Sequence, residues 1–294
     1  MAGIFRLLRQ KWFPPADPIA SFARRNVIVT GSNVGLGLEA AIKFVALGAS
    51  KVILGVRNLE KGRAAKSVIE ARTHRADCVE VWQLDMNSYD SIRAFASRAF
   101  KELDHLDIAV LNAGVFMPTY QESPHGWEET MQVNTLSTAL LGLLLLPKLK
   151  ASRSADFTPV LEIVSSGLYQ VAELTPGHQD APDLLESYNS PKDYNGSRQY
   201  KTSKLSVMYA MRSLASLAES SSGDPDVIVN SVCPGACGTE LARGYDSWGM
   251  TVGKALLYFF LFRSVEAGSR TLVSGTTLGK KAHGGFWQHD ELKP

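Results

Sequence analysis

Tyr200 and Lys204 stand four residues apart in YKTSK, at the head of a stretch with helical period. On a helix that spacing puts both side chains on one face. A phenol of pKa about 10 is a poor acid or base at neutral pH, but a nearby ammonium stabilises the phenolate and draws that pKa toward 7. The pair could therefore move a proton. Nearer the N-terminus, TGSNVGLG places Gly31, Gly35 and Gly37 between a β-branched run and a helical one. Glycine there permits a tight bend and a close backbone approach to a pyrophosphate, and the helix start offers unpaired N–H groups with positive dipole character. With a strand before it and a helix after it, the turn points to a bound dinucleotide. About 20 residues beyond the last glycine, where an acidic side chain would accept from a free ribose 2′-OH, the chain carries Gly55-Val56-Arg57-Asn58. A guanidinium pairs with a 2′-phosphate and leaves no carboxylate to repel it, so NADP(H) is expected over NAD(H).

These residues need a scaffold, and the apolar pattern supplies one. Short runs at Val27–Thr30, Lys51–Val56, Val79–Leu84, Leu106–Leu111, Val160–Val164 and Val227–Val232 alternate with helical patterns. The helical stretches are Gly37–Leu47, Leu59–Arg72, Ser88–Leu103, Trp127–Lys150, Tyr200–Ala218 and Val265–Gly275. Continuous apolar strands separated by helices are the mark of βαβ units buried on both faces. The expected fold is α/β, a single Rossmann-type doubly wound parallel sheet with helices on both faces. An N-terminal arm over 1–23 precedes the domain at 24–294. One interval breaks the rhythm: 167–199, rich in Pro, Gly, Asn and Asp, is expected to be a loop insertion.

Composition narrows the function classes. At 294 residues, 45% apolar and 20% charged, the chain can bury a core. A net charge of +2 gives no field that would argue for nucleic acid. Cys78, Cys233 and Cys237 form no CxxC pair and are expected to be free packing thiols in a reducing compartment. The six histidines have no ligand spacing, and no metal is expected. Between Thr130 and Pro147 no residue is charged. Polar residues fill the first half of that stretch, so it reads as a core helix and not a transmembrane span. In the arm, Arg6, Arg9 and Lys11 interrupt Ile4, Phe5, Leu7, Leu8, Trp12 and Phe13, which excludes a secretory leader. Two readings of the arm stay open: it packs on its own domain or frays, or it lies on a membrane surface. The expected location is cytoplasmic, at the periphery of a membrane if the second holds.

The glycine spacing differs from GxGxxG and resembles the short-chain dehydrogenase/reductase family, over about residues 24–288. TGxxxGxG is matched by Thr30 through Gly37, NAG by Asn112, Ala113 and Gly114, YxxxK by Tyr200 and Lys204, and PGxxxT by Pro234, Gly235 and Thr239. The resemblance implies coenzyme contacts from Gly31, Ser32, Asn33, Gly35, Leu36, Gly37, Arg57, Asp85, Met86, Asn112, Ala113, Gly114, Tyr200, Lys204, Pro234, Gly235 and Thr239. It also implies a catalytic Ser at Ser166, chosen over Ser165, and an Asn at Asn134 that holds a water beside the lysine. The separation of Ser166 and Tyr200, 34 residues, is longer than the family's usual one because the irregular loop lies between. Beyond Thr239 the family places a variable substrate lid, here 240–263, whose aromatic and aliphatic residues would either enclose an apolar substrate or bury against the domain or a second subunit. The wording WQLDM, LNAG, GWEETMQVN and LLLLPKLK is particularly similar to fungal members that tailor polyketides and other secondary metabolites. Members resembling retinol dehydrogenases are more distant.

The expected activity is NADP(H)-dependent interconversion of a ketone or aldehyde and an alcohol on an apolar substrate. In the resembled family the 4-pro-S hydride is transferred while Tyr200 protonates the oxygen. Homo-oligomers built on the helices around 127–150 and 200–218 are implied by the same likeness. Two other readings keep the fold: a redox sensor that binds NADP(H) without turnover, and a dehydratase or cyclase with no redox step.

Overall fold

The computed structural model describes residues 10–174, 181–192, 194–238, 241 and 262–293. Among the described residues, eight strands form one sheet: β1 Asn26–Thr30, β2 Lys51–Val56, β3 Val79–Gln83, β4 Ile108–Leu111, β5 Val160–Val164, β6 Ile228–Cys233, β7 Phe286–Gln288 and β8 Glu291–Lys293. Their order is β3-β2-β1-β4-β5-β6-β7-β8, all neighbours parallel except β8, which returns antiparallel on β7. Strand order reverses between β1 and β4. At such a switch point the loops after the two strands diverge and leave a crevice at the carboxyl edge of the sheet.

Six longer helices cover the sheet: α1 Gly35–Ala46, α2 Leu59–Thr73, α3 Tyr89–Glu102, α4 Thr138–Ala151, α5 Gly196–Ala218 and α6 Val265–Ser274. Side chains alternate across each strand, so β1 sends Ile28 to one core with α3, α4 and α5, and Val27 and Val29 to the other with α1, α2 and α6. The doubly wound class is thus as expected. Helix starts follow the local chemistry: Asn58, Ser88, Asn195 and Ser264 each accept from an N–H of the first turn of α2, α3, α5 and α6. α1 departs from this. It begins after Val34 with no side-chain cap and no acidic residue in its first turn.

The uncharged stretch is a core helix. Glu129–Ala151 has the length and apolarity to cross a membrane, but 67% of its most apolar window is buried inside the fold. A π turn over Gln132–Ser137 interrupts its regular hydrogen bonding. Thr138 Oγ1 donates to Val133 O at 2.9 Å, and Thr135 Oγ1 reaches across to Ser203 O on α5 at 2.9 Å. Such bulges re-aim side chains and recur at functional sites.

The described part of the arm packs on the domain. Phe22 is 3% exposed and meets Phe44 of α1 edge-on, with ring centres 4.8 Å apart. The described part of the 167–199 interval is bolted to the loop before α4. Asn189 accepts from Glu128 N and donates to Gly126 O, both at 2.8 Å, and Tyr194 Oη lies 2.9 Å from Met117 O and from Glu128 Oε1.

One core residue carries a stability prediction. Glu162 of β5 is fully buried beside Gly275, next to Asn230 in register, and neither of its oxygens has a hydrogen-bond partner among the described residues. Burial pushes its carboxyl well above the ordinary carboxylate range. The stability it contributes is complete below its unfolded pKa and is lost as pH rises toward the folded value, because only the unfolded chain ionises freely. Glu162→Gln should therefore raise Tm at pH 7 more than at pH 4, read by thermal unfolding at both. An equal shift at the two pH values would contradict a neutral buried acid.

Candidate active site

The carboxyl ends of β1, β4, β5 and β6 bring together segments far apart in sequence. After β1 the chain turns through Gly31, with φ 62°, where an added Cβ would stand 2.9 Å from Ala113 Cα. Gly37 is similarly enclosed, its Cβ position 2.6 Å from Asn112 Nδ2 and from Gly31 O. Gly35, φ 63°, has nothing within 4 Å of its Cβ position. Two glycines thus close the turn onto the NAG segment and the third leaves open space before the uncapped start of α1. Donors without a partner side chain, a positive helix end and room beside them fit a pyrophosphate.

The NAG segment is a brace. Asn112 Nδ2 donates to Thr30 O at 2.9 Å, and Ala113 N donates to Thr30 Oγ1 at 2.9 Å. Asn112 is therefore committed to the turn. Ser32 is buried, its hydroxyl on Val29 O at 2.8 Å, and Met86 packs in the core at 6% exposure, so neither side chain faces the crevice. Only their backbones remain for a coenzyme. Asp85 follows β3, and its Oδ1 accepts from Asn87 N at 2.9 Å. Arg57 is exposed at the end of β2. Lys61, which the motif reading passed over, lines a hollow with Asn33, Val34 and Leu38. Its signal was a second cation four residues after Arg57.

At β5 and α5 the reactive pair forms. Ser165 turns inward, its hydroxyl 3.3 Å from Lys204 O, whereas Ser166 is hydrogen-bonded to Tyr200. Ser166 Oγ also accepts from Leu168 N at 3.3 Å. Lys204 is 6% exposed and donates to Val164 O at 3.0 Å, with Nζ 5.7 Å from the centre of the Tyr200 ring. Phe116 lies against Tyr200 with ring centres 5.6 Å apart, an aromatic wall that no motif announced. Asn134 is held by the π turn. Its Oδ1 accepts from Val115 N at 2.8 Å, and its Nδ2 donates to Val115 O at 2.9 Å and Ser203 Oγ at 3.1 Å. Both donors of that amide are engaged, and its Oδ1 keeps one further acceptor position.

The electrostatics correct one expectation. The phenol of Tyr200 is not drawn toward 7 by its lysine in this fold. Burial pushes it above its ordinary value, with the hydrogen bond from Ser166 acting in the opposite sense. The reason is geometric: Lys204 spends a donor on Val164 O and is itself desolvated, which lowers its pKa to about 8. The Tyr200 phenol therefore stays protonated at neutral pH.

Pro234 and Gly235 complete the rim after β6, Gly235 with φ 82°. Cys233 Sγ accepts from Gly167 N at 3.1 Å, from Gln288 Nε2 at 3.2 Å and from Gly235 N at 3.4 Å, tying the loops after β5 and β6 together. It therefore does more than fill space. Cys237 is half-buried and burial pushes its thiol up to about 12. Thr239 lies outside the described residues, as does the expected lid apart from Leu241, Phe262 and Arg263.

Turn, brace and Tyr–Lys pair together define a dinucleotide-binding oxidoreductase of the Rossmann type. A family model for short chain dehydrogenases matches residues 25–167. A short-chain dehydrogenase/reductase of Aspergillus flavipes, ffsI, is 46% identical over 282 residues, covering 95% of this chain and 81% of that protein. A second, phmF of Phaeosphaeria nodorum, is 44% identical over 284 residues, with the same coverage of 95% and 81%. Among solved structures, a short chain dehydrogenase from Shigella flexneri complexed with NADP superposes with a TM-score of 0.66 at 21% identity, covering 93% of this chain and 100% of that one. The chain belongs to the short-chain dehydrogenase/reductase family, and its relatives include fungal members.

Proposed function

We propose that this protein is an NADP(H)-dependent carbonyl reductase, or the alcohol dehydrogenase of the reverse direction, acting on an apolar intermediate of fungal secondary metabolism, polyketide-like in character. The observation that carries the reading is the meeting of Ser166, Tyr200 and Lys204 at the sheet edge, on the rim that also holds the open glycine turn. The pyrophosphate would take the start of α1, the 2′-phosphate Arg57, and the nicotinamide end the rim at Pro234 and Gly235. The NADP- and NADPH-bound structures among the neighbours agree with that choice of coenzyme. When bound, the coenzyme supplies or accepts the hydride at the carbonyl carbon.

The chain's own residues do the rest. Ser166 donates to the substrate oxygen and orients it, and Tyr200 gives up the proton that the oxygen needs as the C–H bond forms. The ammonium of Lys204 offsets the charge left on the phenolate until a proton returns to it. Phe116, with Leu168 at 44% and Val171 at 55% exposure on the turn after Ser166, gives the substrate side an apolar lining. The aromatic content of 240–263 in the sequence supports the same class of substrate.

Purified protein supplied with NADPH and a panel of bulky aromatic and polycyclic ketones tests the reading. The expected result is loss of nicotinamide absorbance with one or more ketones and formation of the matching alcohol. Tight NADPH binding with no oxidation across the panel would favour the sensor. Water loss or ring closure without coenzyme consumption would favour the non-redox reading.

A further inference from the structure

Arg263 is 3% exposed, and its guanidinium is surrounded by main-chain acceptors instead of a carboxylate. Nε donates to Gln10 O at 2.5 Å, Nη1 to Pro234 O at 3.2 Å and Nη2 to Phe13 O at 3.2 Å, with His289 Nδ1 3.4 Å from Nη2. The backbone of the same residue bridges the rim loop: Arg263 N donates to Ala236 O at 2.8 Å and Gly238 N to Arg263 O at 3.1 Å. Gln10 adds its own contact, Oε1 accepting from Ala236 N at 3.4 Å. One buried cation therefore fastens the N-terminal segment to the loop after β6.

The segment is held further along as well. Ala16 N donates to Asp290 Oδ2 at 3.2 Å, while Arg270 of α6 donates to Pro15 O at 3.2 Å and pairs with Asp17 at 3.1 Å. Arg270 also grips Glu266, which pairs with Lys43 on α1. The strap over 10–17 is thus connected to both sides of the crevice, the rim at Pro234–Gly238 and the helix that starts at the glycine turn. Burying a guanidinium costs free energy unless each of its donors is satisfied, and here the strap supplies two of the acceptors. Without the strap, the Nε and Nη2 donors of Arg263 would lose their main-chain acceptors beside the rim, so rim order and strap docking rise and fall together.

We propose that Arg263 is a positioning residue for the coenzyme, clamping residues 10–17 onto the Pro234–Gly238 loop so that the N-terminal strap is a working part of the coenzyme site. The proposal rests on the coenzyme reading above. Because coupling between two sites is reciprocal, a strap that orders the rim for coenzyme must itself be held more tightly when coenzyme binds.

The readout is built into the strap, whose Trp12 and Phe13 side chains are 64% and 73% exposed while the backbone beside them is pinned. Chymotrypsin cleavage of the Trp12–Phe13 bond in the full-length protein, followed by mass spectrometry, should slow about tenfold at saturating NADP+, within the usual range of coupling. Arg263→Met should raise the KM for NADPH by about the same factor with a much smaller change in kcat, and should remove the protection by NADP+. Arg263→Lys, which keeps the charge but cannot span all three carbonyls, should fall between. NADP+ that binds the wild-type protein yet leaves cleavage at Trp12 unchanged overturns the proposal, and this arm stands even if the Met variant fails to fold. An Arg263→Met protein that binds NADPH as tightly as wild type also overturns it. Wild-type protein that binds no NADP+ at all defeats the coenzyme reading first, and the strap proposal with it.

Discussion

Tyr200→Phe is expected to lower kcat for ketone reduction by about 10³-fold, the span of one positioned general acid, with NADPH still bound. The substitution removes one oxygen and leaves the ring on Phe116, where the two centroids lie 5.6 Å apart. Folding should be unaffected, so the loss reads the proton and not the scaffold. Burial keeps the Tyr200 phenol protonated, while the same burial brings Lys204 to about 8. For reduction the rate should therefore hold through neutrality and fall as pH climbs through about 8, when the lysine gives up the charge that offsets the phenolate. Lys204 contributes below that value and loses its contribution above it. A pH–rate profile of kcat on the best ketone of the panel checks both points. A Tyr200→Phe enzyme retaining more than a tenth of the wild-type rate would require another proton donor.

Replacing Arg57 should change the coenzyme preference. The guanidinium stands exposed at the end of β2, and Gly55, Val56 and Asn58 around it carry no negative charge. A charge-assisted hydrogen bond is worth roughly 1.5–3 kcal/mol, or about 10- to 150-fold in binding. Glu129 is pushed up by burial and pulled down by Arg57, with Glu128 and Asp85 also acting on it. Without the cation, Glu129 loses the charge that pulls its carboxyl down. Arg57→Ala should therefore lower kcat/KM with NADPH by about 100-fold, the upper part of that range, and leave NADH nearly as it was. Wild-type efficiencies that are equal for the two coenzymes would remove Arg57 from the site.

Much of this was legible in the residues because local and long-range signals agree. The apolar runs named all of the first six strands to within a residue or two at each end, and the doubly wound class followed from their alternation with helices. Ser166 could be set apart from Ser165 only by the family resemblance; in the fold, strand alternation sends one inward to Lys204 O and the other to Tyr200. What stayed hidden depends on tertiary packing. Three-residue strands such as β7 and β8 have too few positions to show a period. The π turn that engages the Asn134 amide is set by hydroxyls reaching to α5 and back along α4. The expected fall in the Tyr200 pKa came from spacing alone, which does not reveal that Lys204 is desolvated and bonded to Val164 O. Arg263 looked like the end of a variable lid, yet its partners lie about 250 residues away on the strap, at |i−j| of 253 and 250. No sequence window contains such a contact.

The most direct measurement is a crystal structure of the protein soaked with NADP+. The account predicts the pyrophosphate at the start of α1, the 2′-phosphate on Arg57, and C4 of the nicotinamide facing the Tyr200 hydroxyl from the rim at Pro234. A nicotinamide turned away from Tyr200, or a coenzyme lodged elsewhere on the molecule, would contradict it.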